Sequence, residues 1–125
     1  MIQSYKDLMV YERSYKKAIE VYRKAASMPK EELYGLTSQL KRAATSIPLN
    51  IAEGYGKRDN ENEFKRFLLM AIGSCDEMKV LLDLCYDLGF IDKDFHDKSE
   101  AEYDEIGRML NALRKKWTQF QTTKI

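Results

Sequence analysis

Apolar residues recur three and four apart along most of this chain, and the rhythm breaks at Pro29, around Gly54 and Gly56, and at Gly89, dividing the sequence into four helices. The first is predicted over residues 7–26, with Leu8, Tyr11, Tyr15, Ala18, Ile19, Tyr22 and Ala26 on its core side and Pro29 as its stop. The second covers residues 35–55: Leu36, Leu40, Ala43, Ile47 and Ile51 form an apolar stripe beside a polar one of Gln39, Arg42, Ser46, Asn50 and Glu53. Pro48 removes a backbone donor inside it, so a bend is expected there, with Thr45 or Ser46 taking up freed carbonyls. Gly54 and Gly56 around Tyr55 suggest a helix end in the left-handed region.

The third helix opens at Asn60, three residues before Glu63, the spacing of a reciprocal capping box. Phe64, Phe67, Leu68, Ala71, Ile72, Cys75, Met78, Leu82, Cys85 and Leu88 alternate along one seam. Leu69, Met70, Val80, Leu81 and Leu84 lie off it, so this helix is either enclosed or part of a subunit interface, and the interface is the favoured reading. Gly89 ends the helix, with Phe90 placed to fold back in a Schellman contact. A fourth helix starts at Asp92 with a seam of Phe95, Tyr103, Ile106, Met109 or Leu110, Leu113, Trp117 and Phe120. The expected architecture is one all-α domain over residues 1–125, an antiparallel up-down four-helix bundle.

Composition narrows the function more than it names it. The 125 residues are enough for one core. Cys75 and Cys85, on one helix, stand about 15 Å apart by helical rise, too far to bridge, and read as buried thiols of a reducing compartment. No apolar run approaches the ~20 residues of a membrane span, and the first residues lack a secretory core, so the expected location is cytoplasmic.

Net charge is +1, but it is unevenly spread. Residues 1–58 carry 11 Lys and Arg against 6 Asp and Glu, and residues 59–90 carry 3 against 7. The remaining residues balance, with all their acids at or before Glu105. Arg13, Lys16, Lys17, Arg23 and Lys24 on the first helix, with Arg114, Lys115 and Lys116 on the fourth, are the candidate phosphate-contacting residues. A solvated charge face, and for the fourth helix complementation of its dipole, are the competing structural readings. The single histidine, His96, reads as a solitary surface residue beside Asp94 and Asp97. The sequence offers no Glu-x-x-His pair, no cysteine–histidine spacing and no glycine-rich phosphate loop, so no metal, cofactor or enzymatic activity is expected. In the further cluster of Arg42, Asn50, Glu53, Gly54 and Arg58, the first three read as a buried polar network, or Asn50, Glu53 and Arg58 as a partner-contacting rim.

The segments YGLTSQLKRAATSIPLNIAEGYGKR, NEFKRFLLMAIGSCDEM and DLGFI, in that order and spacing, closely resemble the four-helix-bundle family named for proteins encoded within 23S ribosomal RNA intervening sequences. The resemblance implies a homopentameric ring of bundles, which would use the surplus apolar surface of the third helix. A related branch looks like the accessory variability proteins of diversity-generating retroelements, basic pentamers that bind nucleic acid and a reverse transcriptase. This chain departs from them in being near neutral, with an acidic third helix. Two functions follow as expectations: a non-catalytic oligomer associated with structured RNA through the first and fourth helices, or an oligomeric scaffold for a protein partner.

Overall fold

The computed structural model describes residues 2–32 and 35–117. Among them are four helices, α1 (Met9–Ala25), α2 (Leu36–Gly56), α3 (Glu61–Asp87) and α4 (Lys93–Lys116), with 3-10 turns at Tyr5–Asp7 and Lys30–Glu32. Short connections at 57–60 and 88–92 set α2 against α3 and α3 against α4 as antiparallel neighbours. α1 packs on α2 and more lightly on α4, which leaves α1 and α3 on the diagonal.

Local chemistry explains most boundaries. The Asn60 side chain accepts from the Glu63 amide at 3.1 Å, but the reciprocal half of the box does not form. The Glu63 carboxylate instead accepts two bonds from the Arg66 guanidinium, at 2.9 and 3.1 Å, because a bidentate charged partner outcompetes one backbone amide. At the other end of α3, Gly89 adopts φ 80°, and the Phe90 and Gly89 amides donate to the carbonyls of Cys85 and Tyr86, the expected Schellman arrangement. Asp92 caps α4 through the Phe95 amide at 2.8 Å.

α2 runs through Pro48 as one helix. The Thr45 hydroxyl donates to the carbonyls of Lys41 and Arg42, and that of Ser46 to Ala43. They satisfy neighbouring carbonyls rather than that of Ala44, which the proline deprives of an amide partner. Gly54 and Gly56 lie within the helix and neither has positive φ, so the predicted left-handed ending is wrong. Gly54 serves a different purpose: a Cβ there would stand 2.6 Å from the Cβ of Phe67 and 3.2 Å from the Phe64 ring. Its missing side chain lets α2 and α3 touch where Phe64, Tyr55 and Trp117 stack edge to face.

The core is built from Ile47, Ile51, Phe64, Leu68, Met78, Leu82, Tyr103, Ile106 and Leu110, all fully enclosed. Two seam assignments on α3 change. Leu81, expected off the α3 seam, is buried, whereas Leu88, expected on it, is exposed at the helix end. Phe120 lies outside the described residues. The largest change concerns α1, whose core face is Val10, Ser14, Lys17, Ala18, Val21 and Ala25, while Tyr15, Ile19 and Tyr22 face outward. The two polar members of this inner face are satisfied internally. Ser14 donates to the Tyr11 carbonyl, and Lys17 finds partners on α4.

Candidate functional site

The basic residues of α1 and α4 do not make one surface. Lys17 is not on an outer face: its side chain is 1% exposed, and its ammonium donates to the Ser99 hydroxyl at 2.8 Å and pairs with Glu20 at 3.1 Å and Glu102 at 3.4 Å. It also lies over the Phe95 ring, as does Lys24. Arg13 is bound to Glu105 at 2.7 Å, and Lys16 to Glu12 at 2.7 Å. Arg114 donates to Asn111. Arg23, Lys115 and Lys116 are exposed, and among the described residues no ion pair uses them. The pairs Arg13–Glu105 and Lys17–Ser99 run α1 and α4 in opposite directions, so Lys24 lies at the Phe95 level and Lys116 at the far end, about 30 Å away by helical rise.

The second-helix cluster also disperses. Arg42 and Glu53 are exposed, and among the described residues Glu53 pairs only with Lys57, one turn on, at 3.9 Å. Neither reaches across to a neighbouring helix as a buried network would need. Asn50 does hold the backbone beside the proline, donating to the Ser46 carbonyl at 2.8 Å. Arg58 lies over the Tyr55 ring at 4.1 Å and donates to the Tyr55 carbonyl, closing the end of α2. Together with Gly54 these are packing devices.

Two exposed apolar faces stand out instead. On α3, Leu69 is 54% and Val80 60% exposed, with Met70 and Leu84 also open to solvent. On the α1–α2 side, Tyr11, Tyr15, Ile19, Tyr22, Pro48 and Leu49 line an almost wholly apolar groove of about 580 Å³. This second face was partly visible in the sequence as the tyrosine stripe, but assigned to the core.

The structure also corrects the reading of His96 as a solitary surface residue. Its side chain is 14% exposed and lies between α3 and α4, beside the Tyr86 ring. Nε2 is 2.6 Å from Asp83 Oδ1 and 3.2 Å from Glu100 Oε2, and Nδ1 is 2.8 Å from Asp97 Oδ1. The hydrogen bonds to Asp83 and Asp97 raise the imidazole pKa above its ordinary value, and the same contact lowers that of Asp83. Glu100 is pushed up by a side-chain hydrogen bond with Asp83 and by burial. His96 and Glu100 are one turn apart on α4; Asp83 joins them only through the tight turn at Gly89. That i, i+4 spacing was the one signal the sequence carried. The two thiols are poorly placed for chemistry, since burial pushes Cys75 to about 12 and Cys85 to about 11. Among the described residues no helix is long and apolar enough to cross a membrane.

Comparison with known proteins agrees with this architecture. A crystal structure of a protein of unknown function from the S23 ribosomal protein family of Bacteroides thetaiotaomicron superposes with a TM-score of 0.79. It covers 88% of this chain and 98% of its own at 22% identity, which establishes the fold. No curated protein matches the sequence. The family described as 23S rRNA-intervening sequence protein matches over residues 6–112, nearly the whole four-helix unit. The chain belongs to the 23S rRNA-intervening sequence protein family.

Proposed function

We propose that this protein is a non-catalytic building block that assembles with copies of itself into a closed ring and acts as a scaffold. The observation that carries this reading is the pair of exposed apolar faces, the α1–α2 groove around Tyr15, Ile19 and Tyr22, and the outer side of α3 around Leu69, Met70, Val80 and Leu84. Large apolar side chains gathered on a soluble surface favour burial against another chain. The groove's α1 wall stands diagonally across the bundle from α3, so one subunit's groove can take the next subunit's α3. Such head-to-tail contacts close into rings when the rotation permits. Five subunits is the number the family resemblance implies.

Mass measurement by sedimentation tests it. The parent chain should sediment as a pentamer, and Leu69→Glu or Tyr22→Glu should each give a folded monomer with unchanged helical circular dichroism. A parent chain that remains monomeric at tens of micromolar overturns the reading.

A second reading, association with structured RNA, retains one supporting observation. Lys115 and Lys116 project at the end of α4, where an assembly would repeat them in every subunit and multiply weak phosphate contacts. Binding of the purified chain to a ribosomal RNA fragment should weaken steeply with salt and be lost in the Lys115→Glu/Lys116→Glu variant. Absence of binding at low salt removes this reading.

A further inference from the structure

Three carboxyl groups, from Asp83, Asp97 and Glu100, stand within 3.2 Å of a ring nitrogen of His96. A protonated imidazole offers two N–H groups; Nδ1–H is directed to Asp97 and Nε2–H to Asp83. Glu100 Oε2 lies 3.2 Å from the same Nε2 without a hydrogen bond to it, and its carboxyl is held against Asp83. Two carboxylates thus converge on one nitrogen that can serve only one of them. A hydrogen-bonding role for His96 accounts for Asp83 and Asp97, while Glu100 is drawn in against Asp83 rather than by the imidazole.

We propose that Asp83, His96 and Glu100 form a divalent-cation site of the zinc class. Nε2 of His96 and one oxygen from each carboxylate are the ligands, all within 4.8 Å of one another. Metal–ligand distances near 2.1 Å place such atoms roughly 3.4 Å apart in a tetrahedral set. Closing to that geometry needs only side-chain rotation, since Asp83 and Glu100 are substantially exposed on the outer side of the helices. On binding, Nε2 releases its hydrogen to solvent and turns its lone pair to the ion. Two carboxylate charges then balance the cation.

Asp97 supplies the supporting contact that zinc-bound histidines commonly have, a carboxylate accepting from the other ring nitrogen. Lys93, 2.6 Å from Asp97, holds that carboxylate in place. A shallow polar recess beside Glu100, lined by Lys79, Ala101 and Asp104, leaves room for solvent or a small anion in a fourth position. One imidazole with two carboxylates favours Zn²⁺ or Co²⁺ over Mg²⁺, which prefers an all-oxygen octahedral shell. Because Asp83 belongs to α3 and the other two to α4, the bound ion would tie the two helices together.

The test uses the untagged full chain freed of metal with a chelator. Titration calorimetry with Zn²⁺ should show one ion per chain, Co²⁺ should give the absorption of a low-coordinate site, and Zn²⁺ should raise the melting temperature. His96→Gln should weaken binding at least ~100-fold, and Asp97→Asn roughly 10-fold, the range for losing a supporting carboxylate. Asp83→Asn and Glu100→Gln provide independent variants, with circular dichroism in chelator confirming that each is folded. No Zn²⁺ binding at millimolar concentration overturns the proposal. So does binding that survives His96→Gln in a folded chain, or that Mg²⁺ displaces at equal concentration, since either would reflect general attraction to surface carboxylates.

Discussion

Lys16 and Lys17 stand side by side in the sequence, yet reversing their charges has very different expected consequences. Lys17 is enclosed between α1 and α4 and held by Ser99, Glu20 and Glu102. A glutamate there would face the same carboxylates with no route to solvent. Breaking a buried charged contact by changing one partner costs about 3–5 kcal/mol, a large share of a small domain's stability. Urea denaturation should therefore show Lys17→Glu unfolded or much less stable, whereas Lys16→Glu, on the solvent side with only Glu12 for company, should scarcely move the midpoint. Equal shifts at the two positions would place Lys17 on the surface. The same contrast governs any charge-reversal test for RNA binding: a variant that includes Lys17 would lose the fold, whatever surface is being tested. Arg23, Lys115 and Lys116 are the positions where charge can be changed without that confusion.

Between elements, the approach of α2 to α3 depends on the absence of one carbon. Gly54→Ala adds a methyl 2.6 Å from the Phe67 Cβ, which sits on backbone-fixed geometry and cannot swing away. The helices must part, and overpacking of this kind typically costs about 1–3 kcal/mol, more than alanine's helix propensity returns. Gly56→Ala meets nothing within 4 Å and has no positive φ, so it should be neutral or stabilising by up to about 1 kcal/mol. Paired thermal melts distinguish the two, and a destabilising Gly56→Ala would refute the account. Gly54 also shows where sequence reading stopped. The features written in local chemistry, the Asn60 and Asp92 caps and the Schellman turn at Gly89 and Phe90, were legible because each needs only a few consecutive residues. A glycine that admits a neighbouring helix looks the same in sequence as one that ends its own. α1 failed for a related reason: it has two apolar faces, and its true inner face carries Ser14 and Lys17, whose partners lie some 80 residues away on α4 or within the helix backbone. The His96 cluster needed Asp83 to be brought across the α3–α4 turn, and no spacing rule spans that.

For the whole molecule, the question is how two apolar faces on one subunit are used. If the α1–α2 groove of one copy receives α3 of the next, every contact is heterologous and each subunit contributes one half to each of two interfaces. Tyr22→Glu spoils one half and Leu69→Glu the other, so each variant alone should sediment as a monomer. In a mixture, the Tyr22→Glu subunit still presents an intact α3, and the Leu69→Glu subunit an intact groove. One sound interface can form between them and none beyond it. Mixing the two monomers should therefore produce a heterodimer and no larger species, at a stoichiometry that sedimentation or native mass spectrometry can count. If each face instead paired with its own kind, either single variant would retain one sound self-contact and sediment as a homodimer. The unmixed variants thus separate the two arrangements before any mixing is done, and the mixture shows whether the groove and the α3 face fit each other. A mixture that remains monomeric would mean that one sound contact is too weak to persist alone, or that the two faces do not meet. Linking the two variant chains in tandem removes the first possibility by raising effective concentration, so a tandem chain that still shows no protection of Tyr22 or Leu69 from solvent exchange would reject the head-to-tail ring.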